Sequence, residues 1–559
     1  MPENRRKSGA EPVRESGVTA RESSQGARSD APQLRQPARI GVALALLLLL
    51  PRIVRLFYPE VWVEDDFYLE SAYLVTAGMR PYVDFVHPHL PVLEWIAGGY
   101  LKIFGASHYR IELLNEAAIY ITSILVFALG DRAAGRRAAV ASAILYAFSS
   151  LVFRYHVYER ECFVAPIVMG AAIMVMDGAA RAHIGRAMAI AGLLALACSI
   201  KLTAVIPAAV ILIFVAAAER RLLRAIEIGA AMTSALAALS AFCYWRYGYD
   251  FIFQTYLFHF LKGRDTAGQI ALYPAEILDL LAPLAILGAI RLAAARTINR
   301  ATAMILAIAA AEYIFFGMLS PTAWGHNYLE AIPFIAVAAA LGALRIIDAA
   351  TNLITAAGHD RADRRWLLEG GALIIVCLLW LTPFVNQNWL RGSVYGFGYV
   401  ERAEIARLAD AIDRASAPGD QIIAPSFLCF EANRIELIRF PETYGVYREA
   451  RAEVARDGFM AARRKLGRAD FFALIADTSH YWTAQIQDAI TAHRVPIVIS
   501  DSPVEMLPLV NIPPGFITDN GYRPILRTEH FTVWALAPAS GAPDSGAAGH
   551  LTPPEPGAR

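Results

Sequence analysis

Three consecutive acidic residues, Glu64, Asp65 and Asp66, open a long segment between two apolar runs of the chain. A carboxylate held against a hydroxyl group can take its proton as a general base. Asp65 and Asp66 are adjacent, so on a regular element their side chains point in different directions, and we predict that only one faces a substrate. The other would cap the helix that follows. The alternative is that both are solvated acids at a helix start.

Two histidines, His87 and His89, follow in the same segment and are framed by prolines. The apolar periodicity on either side, at 67–77 and 92–104, predicts two amphipathic helices along a membrane surface. These helices would hold the acids and histidines near the lipid headgroups.

A second polar cluster, FRYHVYERECF, carries Arg154, His156, Arg160 and Glu161 against the start of another apolar run. A charge centred in a membrane helix costs about 2.5–3.5 kcal/mol on insertion scales, so Glu161 needs a partner. We predict that Arg160 or a group from another loop fills this role. A local ion pair without a part in chemistry is the alternative.

Lys201 interrupts two apolar runs at a short turn, where its ammonium group can either receive a phosphate or extend to water. A later segment, 246–272, contains His259, Lys262 and Arg264 among many aromatic residues. Aromatic residues at a membrane surface are ordinary anchors, so only the cations of this segment suggest a site.

The composition requires a membrane. Of the 559 residues, 56% are hydrophobic and 18% are charged, and a water-soluble fold would expose large apolar surfaces. A spanning helix needs about 20 mostly apolar residues. About eleven segments approach this length: 39–57, 112–130, 138–153, 162–178, 187–200, 202–218, 223–245, 273–293, 301–319, 328–346 and 368–385.

Basic residues are unevenly distributed between alternate loops. Cytoplasmic loops collect Lys and Arg, and a cytoplasmic N-terminus puts the Arg-rich loops, such as 132–137 and 361–365, on the inside. The predicted topology therefore has the N-terminus inside and the C-terminus outside. The run 41–50 also resembles a signal peptide, but no small-residue cleavage site follows it, so we predict a retained first helix.

Four regions are predicted: a disordered arm at 1–38, a membrane module at 39–386, an extracytoplasmic α/β domain at 387–540 and a disordered tail at 541–559. In the α/β region, DQIIAPS, FFALIAD and VPIVISD are typical of strands, whereas 400–415 and 446–466 are typical of helices. The five cysteines lack CxxC spacing, which favours buried thiols over disulfides or a metal site.

The polar clusters all fall on the outer side of this topology. A last one, SPTAWGHNYLEAIP, places His326, Asn327, Tyr328 and Glu330 at the mouth of a later span. A lone histidine there would mean little. Together, acids, cations and histidines from five outer turns can converge on one cavity, where a lipid-linked anionic substrate would present its head group.

The order of these features resembles the GT-C glycosyltransferases that use polyprenyl-phosphate sugars, including the lipid A aminoarabinose transferases and the protein O-mannosyltransferases. The resemblance covers about 40–346. It rests on Asp65 and Asp66 opening a long first outer loop, on His87 and Pro88 before an aromatic-rich helix, on LKIFG leading to Arg110, and on GHNYLEAIP.

The resemblance implies a mainly α membrane bundle of GT-C type that transfers a sugar from a polyprenyl-phosphate carrier to an envelope lipid, glycan or protein, with inversion. Asp65 would be the general base, with Asp66 beside it, and Glu161 would match the acid of the second loop. The donor and its phosphate would be bound by residues from several loops: His87, Arg160, Lys201, Arg264, His326 and Tyr328.

Two departures leave the donor and acceptor open. The aminoarabinose transferases have Asp-Glu and later Glu-Lys-Pro-Pro, whereas this chain has Asp66 and His87 at the corresponding positions. His87 would bind phosphate only when protonated. Acidic pairs in some members bind a divalent cation, so a cation stays open, although the sequence gives no ligand set for one. The expected partners are the donor, the acceptor and the lipid bilayer, and no nucleic acid.

Two other functions remain as alternatives. A transporter or flippase would need ionisable residues within its spans, and Glu312 is the main example. A non-catalytic assembly protein would use the 387–540 domain for contacts.

Overall fold

The computed structural model describes residues 60–62, 67–152, 158–178, 184–217, 220–264, 281–294, 298–320, 325–356, 399–439, 441–500 and 512–537. Several predictions lie outside these residues: the spans at 39–57 and 368–385, the terminal arm and tail, and the residues Asp65, Asp66, Arg154 and His156. The side chain of His326 is outside the description as well.

Apolar helices dominate the first two thirds of the chain. They are α3 (His108–Ala134), α4 (Arg136–Val152), α5 (Arg160–Met176), α6 (Ile184–Ile200), α7 (Val205–Ala217), α8 (Leu222–Tyr247), α10 (Leu281–Ala294), α11 (Arg300–Ile314) and α12 (Ile332–Ala356). Each overlaps one of the predicted spans. A short helix α9 (Tyr249–Ile252) and a π-helical turn (Phe253–Leu257) follow α8, and a second π-helical turn (Phe315–Leu319) extends α11.

Within the described residues, four helices are long and apolar enough to cross a membrane: His108–Ala134, Leu222–Tyr247, Arg300–Leu319 and Ile332–Asn352. The chain is a multi-pass membrane protein. The number of eleven spans stays a prediction.

The helices pack closely where small residues meet. A Cβ atom added at Gly342 of α12 would lie 2.8 Å from the carbonyl carbon of Leu284 in α10, and one added at Gly288 would lie 2.8 Å from the backbone nitrogen of Gly342. Only glycine allows two helix backbones to approach so closely, as is common in membrane bundles. This contact fixes α10 against α12.

The first long loop contains two helices, α1 (Phe67–Thr76) and α2 (Val92–Phe104), at the predicted positions. Leu69, Leu93 and Leu101 lie in the main apolar core with the membrane helices. A strand β1 (Glu60–Trp62) before α1 pairs antiparallel with β2 (Tyr399–Glu401). The chain segments before α1 and after residue 398 are thereby tied together.

The C-terminal part contains short strands between helices. Its helices are α13 (Arg402–Ala415), α14 (Ser426–Glu431), α15 (Pro441–Asp457), α16 (Phe459–Lys465), α17 (Phe471–Thr478), α18 (His480–Thr491) and α19 (Pro514–Asp519). Strands β3 (Gln421–Ile422) and β4 (Ile435–Glu436) are parallel, and β5 (Ile497–Ser500), β7 (Thr532–Leu536) and β6 (Tyr522–Arg527) form an antiparallel sheet in the order β5-β7-β6. The domain limits at 387 and 540 lie outside the described residues and stay predictions.

One strand prediction in this part is wrong: FFALIAD forms helix α17. The carboxylate of Asp470 accepts a hydrogen bond of 3.0 Å from the backbone nitrogen of Ala473, which caps the helix. Phe471 and Leu474, three residues apart, are buried together against Phe253 and Phe258. An apolar run of this length fits a buried helix face as well as a strand, and the N-cap decides between them.

Candidate functional site

The start of α5 brings Arg160 into contact with the first loop. Its Nη2 atom donates to Oε1 of Glu94 in α2 and lies 3.1 Å from Nε2 of His87. Its Nη1 atom donates to the carbonyl oxygens of Leu90, at 3.2 Å, and Ile200, at 2.6 Å. Because Arg160 and Glu94 are both fully buried and oppositely charged, they neutralise each other and join the first loop to α5 and α6.

His87 is enclosed in this arrangement. Its Nε2 atom also lies 3.3 Å from Oε2 of Glu94, and its Nδ1 atom lies 3.4 Å from the hydroxyl oxygen of Ser71 in α1. Burial lowers the pKa of His87, although Glu94 opposes this effect. The imidazole is fully buried, which leaves it no exposed face for a phosphate. The structure therefore places His87 in the support of the site.

Glu161, the neighbour of Arg160, faces a different partner. The ammonium group of Lys201 donates to Glu161, and it lies 2.9 Å from Oδ1 of Asn327 and 3.3 Å from Oε1 of Glu330. Lys201 is only 6% exposed, so its ammonium group is paired inside the protein rather than extended to water. The partner of Glu161 comes from another loop and is not Arg160.

The GHNYLE segment forms the 3₁₀ turn Gly325–Glu330. It delivers Asn327 and Glu330 to Lys201, whereas Tyr328 is fully buried, with its ring centroid 5.8 Å from those of both Tyr313 and Phe316. The ring of Phe316 in turn lies 5.1 Å from the Lys201 ammonium group. Tyr328 thus supports the Lys201 cluster through Phe316.

A third group of residues lies between the first loop and the segment after α8. The hydroxyl of Tyr68 lies 3.3 Å from Nε2 of His89, and the ring of His89 lies 5.7 Å from that of His259. Nε2 of His259 donates a hydrogen bond of 2.7 Å to the carbonyl oxygen of Pro88. Burial lowers the pKa of His259 to about 4, and the charge of Lys262 adds to this shift. Both histidines are therefore neutral at physiological pH, since burial also lowers the pKa of His89.

Lys262 is the cation of this third group. It is half-buried, and among the residues that the structure describes no carboxylate forms an ion pair with it. Burial lowers its pKa to about 8, with a further contribution from the charge of Lys201. A half-buried cation that no described carboxylate pairs with is suited to an anionic ligand.

Arg264 lies apart from Lys262, although only Gly263 separates them. The backbone nitrogen of Arg264 donates to the carbonyl oxygen of Ala469 at 2.8 Å, and its carbonyl oxygen accepts from the nitrogen of Phe471 at 2.8 Å. Its side chain is exposed. The structure thus directs Arg264 toward the C-terminal part and leaves Lys262 beside the histidines.

The C-terminal part contacts the first loop at several polar positions. The Tyr73 hydroxyl donates to Oδ1 of Asn433 at 3.0 Å, and Nη1 of Arg439 donates to the carbonyl oxygen of Asp84 at 2.5 Å. The nitrogen of His108 donates to Glu431 at 2.6 Å. These contacts hold α1, the loop after it and the start of α3 against the C-terminal part.

Among the described residues, no group of three or more histidine, cysteine or carboxylate side chains is arranged to hold a metal ion. Asp65 and Asp66 are not among those residues.

The membrane helices resemble known proteins both in sequence and in fold. A family model described as dolichyl-phosphate-mannose-protein mannosyltransferase matches residues 86–245. In fold, ArnT from Cupriavidus metallidurans, solved with bound undecaprenyl phosphate, superposes with a TM-score of 0.56 at 14% identity, covering 90% of this chain and 98% of that one. The oligosaccharyltransferase of Archaeoglobus fulgidus superposes with a TM-score of 0.50 at 12% identity, covering 84% and 70%.

The chain has the GT-C fold. The resemblance predicted from the order of its motifs is confirmed by the family match and by these superpositions. Among the curated proteins, no sequence matches this chain significantly. The family match, 86–245, contains His87, Glu94, Arg160, Glu161 and Lys201.

Within this GT-C bundle, the described residues divide by chemistry. Two buried pairs have compensated charges: Arg160 with Glu94, and Lys201 with Glu161. These pairs fix the positions of the loops that carry them. Sequence reasoning missed Glu94 as the partner of Arg160, and it passed over Lys262 in favour of Arg264. The sequence shows Lys262 as a cation in the same segment as Arg264. The different surroundings of the two side chains depend on the tertiary structure.

Proposed function

We propose that the chain is an inverting glycosyltransferase that moves a sugar from a polyprenyl-phosphate carrier to an envelope lipid, glycan or protein. The observation that carries this proposal is the half-buried ammonium group of Lys262 without an acidic partner among the described residues, next to two neutral histidines. The mannosyltransferase family match and the undecaprenyl phosphate bound to ArnT support a phosphate-linked donor.

The reaction needs a base and a stabilised leaving group. The carboxylate of Asp65, or of Asp66, takes the proton of the acceptor hydroxyl as its oxygen attacks the anomeric carbon. The bond between that carbon and the carrier phosphate breaks, and its electron pair stays on the phosphate oxygen. Lys262 stabilises the charge that develops on the phosphate, and a single displacement inverts the anomeric centre.

The support of this site comes from buried charge pairs. The pair of Arg160 with Glu94, and the cluster of Lys201 with Glu161 and Glu330, join four loops with little exposed charge. Because their charges are already compensated, these groups position the loops, whereas Lys262 retains the capacity to bind an anion.

The reaction is proposed on the extracytoplasmic face of the cell membrane. The Arg-rich alternate loops support a cytoplasmic N-terminus, and all the polar clusters then fall on the outer side together with the C-terminal α/β part. The protein would be a multi-pass enzyme of the cell (inner) membrane.

The first test is mass spectrometry of envelope glycolipids and glycans from cells with and without the gene. We expect one sugar-bearing product to disappear without it and to return with the wild-type gene. A flippase would instead change the distribution of the lipid-linked donor, and the purified protein would transfer no sugar.

Asp65→Asn and Asp66→Asn then identify the base. We expect one of them to abolish the product while protein abundance stays unchanged. Asp84→Asn is the matched control, because Asp84 lies in the same loop and its carboxylate pairs locally with Arg80 at 3.1 Å. Full product formation in both variants would remove the acidic pair from catalysis.

A further inference from the structure

The loop that carries His87 and His89 is held by the segment after α8. The amide side chain of Gln254 uses both of its ends: Oε1 accepts a hydrogen bond of 2.7 Å from the backbone nitrogen of His87, and Nε2 donates one of 2.9 Å to the carbonyl oxygen of Tyr82. Gln254 is only 1% exposed. An apolar side chain of similar size would therefore leave the His87 nitrogen and the Tyr82 carbonyl oxygen without these partners, at a cost in free energy.

The loop has an unfavourable backbone conformation that these bonds stabilise. Tyr82 has a φ angle of 69°, in the left-handed region that residues other than glycine rarely adopt. Its hydroxyl donates to the carbonyl oxygen of His89 at 2.5 Å, and its ring lies 5.6 Å from that of His87. Tyr82 thus contacts both histidines of the loop. Gln254 donates a hydrogen bond to the carbonyl oxygen of this strained residue.

The same segment carries the proposed phosphate contact. Gln254 lies in the π-helical turn Phe253–Leu257, which continues through the 3₁₀ turn Phe258–Phe260 to Lys262. His259, between them, donates to the carbonyl oxygen of Pro88 at 2.7 Å. Single π-helical turns inside helices occur frequently at functional sites. The distance between the histidine loop and Lys262 is therefore set by side chains of one short segment.

We infer that Gln254 is a positioning residue, which keeps the loop of His87 and His89 in register with Lys262 so that the carrier phosphate contacts both segments. The inference rests on the proposed function for its phosphate. Its structural part, that Gln254 determines the conformation of the 81–90 loop, is separable and has its own measurement.

The first measurement is hydrogen–deuterium exchange of the full-length protein in nanodiscs. Gln254→Met has a similar volume but forms neither bond, and we expect faster exchange at 81–90 with unchanged exchange in α3. Tyr256→Phe is the matched control, because Tyr256 lies in the same π-helical turn and its hydroxyl contacts Ser240, at 2.7 Å, rather than the loop. Unchanged exchange at 81–90 in Gln254→Met overturns the inference.

The second measurement is the affinity for undecaprenyl phosphate as a function of pH. We expect Gln254→Met to bind about tenfold more weakly than wild type at every pH, because binding must then order the loop without its two bonds to Gln254. In Gln254→Glu, a protonated carboxyl can donate to Tyr82 and accept from His87, but an ionised one cannot donate. We therefore expect its affinity relative to wild type to recover as the pH falls.

The outcomes distinguish the two proposals. If wild type does not bind undecaprenyl phosphate, the proposed donor is wrong, and the exchange experiment still decides the role of Gln254. If wild type binds and both Gln254 variants bind equally well at every pH, the positioning role is wrong while the proposed function stands. A merely structural defect would lower the folded fraction of Gln254→Glu without restoring relative affinity at low pH.

Discussion

Removal of the Lys262 ammonium group is the sharpest test of the phosphate site. A hydrogen bond to a charged group contributes about 1.5–3 kcal/mol, and each 1.36 kcal/mol corresponds to a tenfold change. We therefore expect Lys262→Ala to weaken binding of undecaprenyl phosphate by about 10- to 150-fold at pH 7. Lys262→Arg should retain most of the affinity, because it keeps the charge.

The pH dependence follows from the pKa of Lys262. Burial, together with Lys201, lowers this pKa to about 8, so the unliganded amine loses its proton as the pH rises through that value. Wild-type affinity should fall above about pH 8, whereas Lys262→Arg should show no such decline because guanidinium stays protonated. A bound phosphate favours the charged form, so binding above this pH should also take up a proton.

Stability should change in the opposite direction. A lysine whose folded pKa is lowered binds fewer protons than the unfolded chain between about 8 and the ordinary lysine pKa of 10.5. Its contribution to stability therefore rises with pH across that range. At pH 7 the buried charge is a cost, and Lys262→Met should raise the melting temperature of the unliganded protein. Such an exchange of stability for binding is common at functional sites.

The assay is equilibrium binding of undecaprenyl phosphate to the purified protein in nanodiscs between pH 6 and 10. Arg264→Ala is the control, since Arg264 is two residues away but exposed and held by backbone bonds to Ala469 and Phe471. It should change affinity by less than about twofold, as is usual for an exposed surface charge. Equal losses in the two variants, or no loss in Lys262→Ala, would refute the assignment.

Two further predictions concern the supporting contacts. Lys201→Met leaves buried carboxylates uncompensated and should destabilise the protein by about 3–5 kcal/mol, with partial recovery of stability in Lys201→Met/Glu161→Gln. Thermal unfolding in detergent measures the stability of both variants. Additive losses of stability would argue against the ion pair. Burial alone would raise the pKa of Glu431, but hydrogen bonds from His108 lower this pKa below the ordinary glutamate value of 4.5. The carboxylate therefore stabilises the contact with α3 above pH 4.5, and this stabilisation is lost as the pH falls through the lower folded pKa. Glu431→Gln should accordingly increase alkylation of the buried Cys429 at neutral pH and make the rate less sensitive to acid; an unchanged rate would show that the contact is dispensable.

Much of the fold was predictable because a membrane-spanning helix requires a long apolar run, and a helix beside it shows a helical period of apolar residues. Both patterns can be read from the sequence. The apolar run predicted at 112–130 lies within α3, and the periodicity at 67–77 and 92–104 predicted α1 and α2. FFALIAD failed because a short apolar run fits either a strand or a buried helix face. There, the local cap from Asp470 and the packing against Phe253 decide the outcome.

The site was less predictable, because adjacent residues have unrelated partners. Arg160 and Glu161 suggested a local pair, but successive residues of a helix point about 100° apart. Arg160 therefore pairs with Glu94, 66 positions earlier, and Glu161 with Lys201, 40 positions later. The sequence shows that these opposite charges are neighbours, but their separate partners follow only from the packing of α2, α5 and α6.

The choice between Lys262 and Arg264 depends on one glycine. Gly263 has a φ angle of 89°, and a Cβ atom there would lie 2.9 Å from Cδ1 of Leu474 and 3.0 Å from the carbonyl oxygen of Ala469. Only glycine permits both the conformation and the close approach. The chain turns at this residue, so Arg264 joins the backbone of Ala469 while Lys262 stays beside His259. Two cations that are only two positions apart in the sequence thus acquire different surroundings. A substitution at Gly263 should therefore weaken phosphate binding by displacing Lys262, without changing any charge.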